Sequence, residues 1–501
     1  MMELVFQEDR IEYLCGVLSD TVSQEQTADV IIPDSYPDAE RIVDAFGTLL
    51  VRSEECAAGS ATVAGFVQAG VLYVGQEGQL RRVQTEIPFS LRREFSAQDS
   101  CTLQCRCTLH SVDARILNSR KILVRVGISC TMQVYAPRIH TCYHISEPAP
   151  SMQLKRRQIP MLMPMGLGEK SFVLNEELEL PSDKPEIAHL LKCLYRAQVQ
   201  EQKMVGNKAV FKGSLLVHAL YESADESLHI HDWTLPFSQY AEMEQPLDEC
   251  QAQTVLTLTG ADTEPDGQLD SRRLLTSVNV LAQCTAMGVR NISLIEDAFC
   301  TDADFKPQWE DDRMTGILDR QIFRETAAVQ KELEAKSVVD AWIYSRQMTR
   351  QREGQQVQME IPMCCNVLYY DTEGALQQEC LQMPVNIQTE LSENASCGIA
   401  DMELGDIFTT AGNGSLALRM PVNLTVESRA EHLLHSVCGG EVTPLEGNMG
   451  AKPAVILRFT DGQEDVWEIA KNCRTTVEAI REANDLAQDT VPANALLLIP
   501  M

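Results

Sequence analysis

The sequence predicts a mainly β fold: three tandem β-rich, sandwich-like modules, then a small C-terminal βααβ domain. Three observations carry this. One hairpin pattern occurs three times at constant spacing. The segments around it run in short apolar stretches divided by Gly, Asp and Pro, as strands and turns do. After position 453 the pattern changes to strand, helix, helix, strand.

The hairpin reads "VLYVGQEGQLRRVQTEIPF" (Val71–Phe89), "ALYESADESLHIHDWTLPF" (Ala219–Phe237) and "VLYYDTEGALQQECLQMPV" (Val367–Val385). Its tyrosines, Tyr73, Tyr221 and Tyr369, are equally spaced (221 − 73 = 369 − 221 = 148). So are the prolines that follow them, Pro88, Pro236 and Pro384. Upstream, Pro33 in "DVIIPDSYPD" and Pro181 in "ELELPSDKPE" align, whereas the third copy has Val329 and lacks the Pro-rich opening. Alternation is clear in Ala61–Val74. A proline late in a hairpin implies a strand end or a sheet edge. Short helices are expected after the opening prolines, in "PDAERIVDAF" and "PEIAHLLKCLYRA".

These features divide the chain into an N-terminal segment (1–26), a first β module (27–136), a linker (137–174), a second module (175–300), a linker (301–316), a third, divergent module (317–437), a linker (438–452) and the C-terminal domain (453–501). The linkers are read from their prolines, glycines and acidic or basic runs.

Composition narrows the functional classes. The net charge of −30 disfavours nucleic acid and anionic membrane as partners. The local exception, "LKRRQ" at Leu154–Gln158, reads as a solvated linker. Charged residues interrupt the first segment, so no signal peptide is expected, nor a membrane span, and a cytoplasmic location follows as the expectation. The 17 cysteines, an odd number in a long chain, read as reduced thiols packed as small apolar residues.

No catalytic constellation stands out. "MGLGEKS" (Met165–Ser171) lacks the spacing of a phosphate-cradling loop and reads as a turn. Three clusters hold metal-ligating residue types: His140, Cys142 and His144; His229 and His231; and His432, His435 and Cys438, with Cys101, Cys105 and Cys107 as a partner set whose spacing is not that of a zinc knuckle. None is a complete zinc ligand set by spacing, so structural roles are expected, with no metal or cofactor and no enzymatic activity.

The tail starts with an apolar strand, Val455–Phe459. Asp465 is placed to cap one short helix, and Thr475 or Thr476 a second carrying Val477 and Ile480 at helical spacing. Leu496–Ile499 closes the unit as a strand. Trp467, Ile469, Ala470, Lys471, Thr476, Val477, Ile480, Asn484, Leu486, Val491, Leu497, Ile499 and Pro500 closely resemble a LysM domain. The resemblance implies a ligand site between two loops: Thr460, Asp461, Gly462, Gln463 and Glu464 after the first strand, and Asn484, Leu486, Ala487, Val491, Pro492, Ala493 and Asn494 before the last. LysM domains bind N-acetylglucosamine glycans. Here Asp461-Gly462-Gln463-Glu464 replaces the usual Pro-Gly-Asp-Thr, and Pro492-Ala493-Asn494 the usual Pro-Gly-Gln, which favours a protein ligand.

With the repeats, Ile32-Pro33, Pro37-Asp38, Leu72-Tyr73, Ile87-Pro88-Phe89, Leu180-Pro181, Lys184-Pro185, Leu220-Tyr221 and Leu235-Pro236-Phe237, the chain resembles the SipL-like spore coat morphogenetic proteins, which join SPOCS-domain repeats to a C-terminal LysM domain. That resemblance implies a structural adaptor in the mother-cell cytoplasm, anchoring coat material at the forespore surface and contacting the coat-base ATPase and other coat proteins. The alternative it leaves open is a peptidoglycan-binding protein.

Overall fold

The structure is a computed structural model. It describes residues 2–501 except 58, 77, 97–99, 146–148, 267–270, 347, 413, 446–453, 461–464, 487–490 and 492–495, with backbone alone for residues 2–5. After β1 (Met2–Val5), the chain builds one arrangement three times.

The first unit comprises β2 (Gln7–Ile31), β3 (Ala39–Ala57), β4 (Ser60–Gly75), β5 (Leu80–Glu94), β6 (Thr102–Asn118) and β7 (Lys121–His144). Sheet β2-β7-β6 faces sheet β3-β4-β5. The second comprises β8 (Met152–Glu179), β9 (His189–Val205), β10 (Lys208–Glu222), β11 (Leu228–Glu242), β12 (Gln251–Pro265) and β13 (Arg273–Cys300), in sheets β9-β10-β11 and β8-β13-β12. The third begins with β14 (Ala303–Glu332), β15 (Ala335–Ser345), β16 (Thr349–Glu353), β17 (Gln356–Ile361) and β18 (Met363–Asp371). It continues with β19 (Leu376–Gln382), β20 (Val385–Glu390), β21 (Ala395–Leu404), β22 (Phe408–Gly412) and β23 (Ser415–Pro444). β23 pairs with β14 on one side and with β21 and β22 on the other. The facing sheet is split into β15-β18-β19 and β16-β17-β20, and Pro362 interrupts there a strand that runs unbroken as β4 and β10 in the other units.

Alternation places one apolar stripe of each closing strand inside its sandwich: Ile122, Val124, Val126, Ile128, Cys130, Met132 and Val134 on β7; Leu274, Val278, Val280, Ala282 and Cys284 on β13; Leu416, Leu418, Met420, Val422 and Leu424 on β23. Each large apolar side chain so buried stabilises by about 1.5–3 kcal/mol, an upper bound against a fully extended chain. Pro88 and Pro236 lie within β5 and β11, the outer strands of their sheets, so the edge reading holds there.

The repeated tyrosines have a repeated task. Tyr73 Oη donates to the Pro37 carbonyl at 3.1 Å and Tyr221 Oη to the Pro185 carbonyl at 3.3 Å. Arg120 closes the first opening turn by donating to the Pro33 and Tyr36 carbonyls, and Arg272 closes the second through the Pro181 and Lys184 carbonyls. The third unit has Gly414 at that place and a tight Leu333–Ala335 connection, matching its missing Pro-rich opening.

Two expectations are corrected. The stretches after the opening prolines are strands β3 and β9, not helices. β3 carries bulges at Ala39/Arg41 and Ile42/Asp44, and each bulge shifts the two-residue alternation by one, so the apolar spacing mimics a helix. The segments read as linkers at 137–174 and 301–316 are largely strand: β7 runs to His144, β8 spans Met152–Glu179 and β14 starts at Ala303. Pro160 and Pro164 are tolerated in β8 because it is paired continuously only to β13 and meets β14 at a single residue pair, Ile317 with Leu162. "MGLGEKS" lies within β8 rather than at a turn. In the last linker, β23 continues to Pro444, and 446–452 fall outside the described residues.

The distal halves of the long strands form three two-stranded ribbons: β2 with β7, β8 with β13 and β14 with β23, with β1 added to β23. They share a core of Tyr13, Cys142, Met161, Met163, Ile292, Met314 and Leu434. At the other end the three sandwiches meet at Asp44, Lys192 and Asp340, which are 148 residues apart and hence equivalent positions of the repeat. Lys192 Nζ, on a side chain 2 % exposed, donates to Asp44 Oδ2 and Asp340 Oδ2, both at 2.8 Å. His218 completes the cluster, with Nε2 2.7 Å from Asp340 Oδ1 and Nδ1 2.6 Å from Asp232 Oδ1. Peripheral bonds join each pair of units: Gln104 to Thr285, Arg106 to the Ala400 carbonyl, and Gln198 to the Leu404 carbonyl.

Two cysteine pairs are also corrected. Cys56 is joined to Cys101 and Cys364 to Cys380, because neighbouring strands bring their Cα atoms to 6.3 and 6.1 Å. The other described cysteines are free thiols.

Candidate functional site

The C-terminal unit is β24 (Val455–Phe459), α1 (Val466–Cys473), α2 (Val477–Ala483) and β25 (Leu496–Pro500), with β24 antiparallel to β25. Its helices are short and depend on their caps. Asp465 Oδ1 accepts from the Trp467 N–H and Thr476 Oγ1 from the Ala479 N–H. Ile469, Ala470, Ile480, Val491, Leu497 and Ile499 form the core.

α1 docks this unit on the ribbons. Trp467 packs edge-on to Phe299 at 4.9 Å, and its Nε1–H donates to Asp297 Oδ2 at 2.8 Å. Lys471 reaches the same oxygen at 2.6 Å. Arg474, whose φ of 56° ends the helix, pairs with Asp304. Lys155 Nζ donates to Asp465 Oδ2 at 2.8 Å. Against the upward push of burial, Lys155 and the Trp467 N–H hold the Asp465 carboxyl below its usual range. The basic run at 154–158 therefore has partners: Lys155 binds this unit, and Arg157 pairs with Glu296.

Of the loop residues expected to hold a ligand, the described ones are turned inward. Thr460 and Val491 are buried, and Leu486 packs against the core. Asn484 ties α2 to β25: Nδ2 donates to the Ile480 and Leu498 carbonyls, and Oδ1 accepts from the Leu498 N–H at 2.7 Å. Asp461, Gly462, Gln463, Glu464, Ala487, Pro492, Ala493 and Asn494 lie outside the described residues.

A different surface comes forward. β24 and β25 bury one face on the helices and leave the other open. Register pairs Phe459 with Leu496 and Leu457 with Leu498, and Val455 lies beside them on the open face. Phe459 is 67 % exposed and Leu457 60 %, with Val455, Leu496, Leu498 and Met501 also exposed. Contiguous exposed apolar area of this kind marks an interaction surface. The signal was present in "VILRF" and "LLLIP": apolar residues occupy both faces of a two-stranded ribbon that has only one face to bury.

The histidine clusters do not assemble. His140 pairs with Asp312 at 2.6 Å, and Tyr143 bonds Glu310. His229 bonds Ser227 and Ser223. His231 packs edge-on to Trp233, while His435 stacks on Trp309 and pairs with Asp311. Among the described residues, the group whose ligand atoms gather is Cys105, Cys107 and Cys130, with Cys101 of the expected cluster taken by its disulfide.

Residues 186–262, from just before β9 through most of β12, match the family model described as SipL, SPOCS domain. The second sandwich is thus similar to a sporulation-associated domain. No curated protein and no solved structure matches the chain. Among the described residues, no helix is long and apolar enough to cross a membrane.

Proposed function

We propose that the chain is a non-enzymatic structural adaptor of endospore coat assembly. It works in the mother-cell cytoplasm at the forespore surface, where three SPOCS-like sandwiches carry a LysM-like unit that docks on the coat-base ATPase. The observation that carries the reading is the open apolar face of β24 and β25. A glycan site needs polar groups and aromatic platforms in a cleft. A flat aliphatic face with one phenylalanine suits the apolar core of a protein interface. The match at 186–262 supports the sporulation context, and the docking on the ribbons uses α1 and not that face.

The test compares the full chain with one lacking residues 451–501. Each is presented with the purified coat-base ATPase and with insoluble peptidoglycan. Tail-dependent retention of the ATPase is expected. Tail-dependent sedimentation with peptidoglycan, and none with the ATPase, would replace the adaptor by a wall-binding protein.

A further inference from the structure

Inside the first sandwich, three thiols converge. Cys105 and Cys107 are two residues apart on β6 and so share a face, and Cys130 of β7 lies directly opposite Cys107. Their sulfurs all lie within 4.8 Å of one another. The sulfurs of a tetrahedral zinc site, with bonds of about 2.3 Å, stand roughly 3.8 Å apart. From the facing sheet, Glu54 of β3 brings its carboxyl beside Cys105. Gln283 of the second unit orients it, donating to Glu54 Oε2 at 2.8 Å, while Glu54 Oε1 is buried without a hydrogen-bond partner.

The fold does not require thiols there. Counted from the turn residues Arg120, Arg272 and Gly414, the counterparts of the facing pair Cys107 and Cys130 are Leu256 and Ala282 in the second unit and Met402 and Leu424 in the third. Ordinary core residues fill the site in both. Three thiols converging where the other two units place ordinary core residues are explained by a thiophilic cation.

We propose that Cys105, Cys107 and Cys130 form a three-thiolate site for a thiophilic divalent cation of the zinc type, pinning β6 to β7 inside the first sandwich next to its contact with the second. Glu54 also forms part of the wall of a cleft of about 330 Å³, with Cys56, Cys101, Leu103, Glu169 and Leu281, which provides a way in.

The experiment titrates the metal-stripped full chain, its two disulfides kept intact, with Co²⁺, then Zn²⁺. One equivalent of Co²⁺ is expected to give the sulfur-to-cobalt charge-transfer absorption of three thiolates, and Zn²⁺ to abolish it. Cys107→Ser and Cys130→Ser lose most of that absorption. Because the serine variants risk misfolding, alkylation of the wild-type chain is followed by mass spectrometry in parallel. Zn²⁺ should protect Cys105, Cys107 and Cys130 and leave Cys15 and Cys473 unchanged. No charge-transfer absorption in the folded wild-type chain, absorption that survives Cys105→Ser/Cys107→Ser/Cys130→Ser, or no selective protection overturns the proposal.

Discussion

Lys192 joins all three sandwiches through one ammonium group. Removing it leaves Asp44 and Asp340 facing each other in a dry interior. Lys192→Met is expected to cost about 3–5 kcal/mol, read as a lower denaturant midpoint. Replacing the three together, Asp44→Asn/Lys192→Met/Asp340→Asn, is expected to recover most of it, because no unpaired charge remains. His218 adds a pH dependence. Burial pushes its pKa down, but Asp340 and Asp232 outweigh burial and raise it to about 9. A raised histidine stabilises fully below its unfolded value near 6.5, and that contribution is lost as pH rises through 9. The midpoint should therefore fall between pH 6.5 and 9, with a shallower fall in His218→Gln. The equivalence of positions 44, 192 and 340 was legible, since they share the 148-residue spacing of the tyrosines. What sequence could not show is that the repeats close around one another, so that Asp, Lys and Asp meet rather than face solvent on three separate modules.

The C-terminal unit hangs on single connections between short elements. Asn484 satisfies backbone groups of both α2 and β25. Asn484→Ala is expected to cost about 1–3 kcal/mol and to show as faster amide exchange at Leu498 while β7 and β13 keep their protection. Asp297 receives both Trp467 and Lys471. Asp297→Ala removes two of the contacts that hold the unit on the ribbons and should loosen it without unfolding it, seen as faster amide exchange in α1. The cap at Asp465, the two helices and both strands of this unit were readable, and the second cap was narrowed to Thr475 or Thr476, of which Thr476 caps, because capping chemistry and 3.6-residue spacing are local. The strands β3, β8, β9 and β14 were misread because bulges, prolines and charged outer faces disguise period two. Most of the loop residues that the resemblance names lie outside the described residues, and the exposed apolar residues lie on the strands between those loops.

The three sandwiches close on a buried charge cluster at one end and extend as packed ribbons at the other, where the C-terminal unit is held. This gives the chain a body with many inter-unit bonds and a separate presenting element, a suitable division of labour for an adaptor. The measurement that tests this account most directly is the affinity of the full chain for the coat-base ATPase, with and without Leu457→Asp/Leu498→Asp. Both side chains are exposed, so the substitutions leave the fold, checked by circular dichroism, unchanged. The account predicts a loss of roughly 30-fold or more, as for central residues of an interface. Unchanged affinity in the folded variant would contradict it.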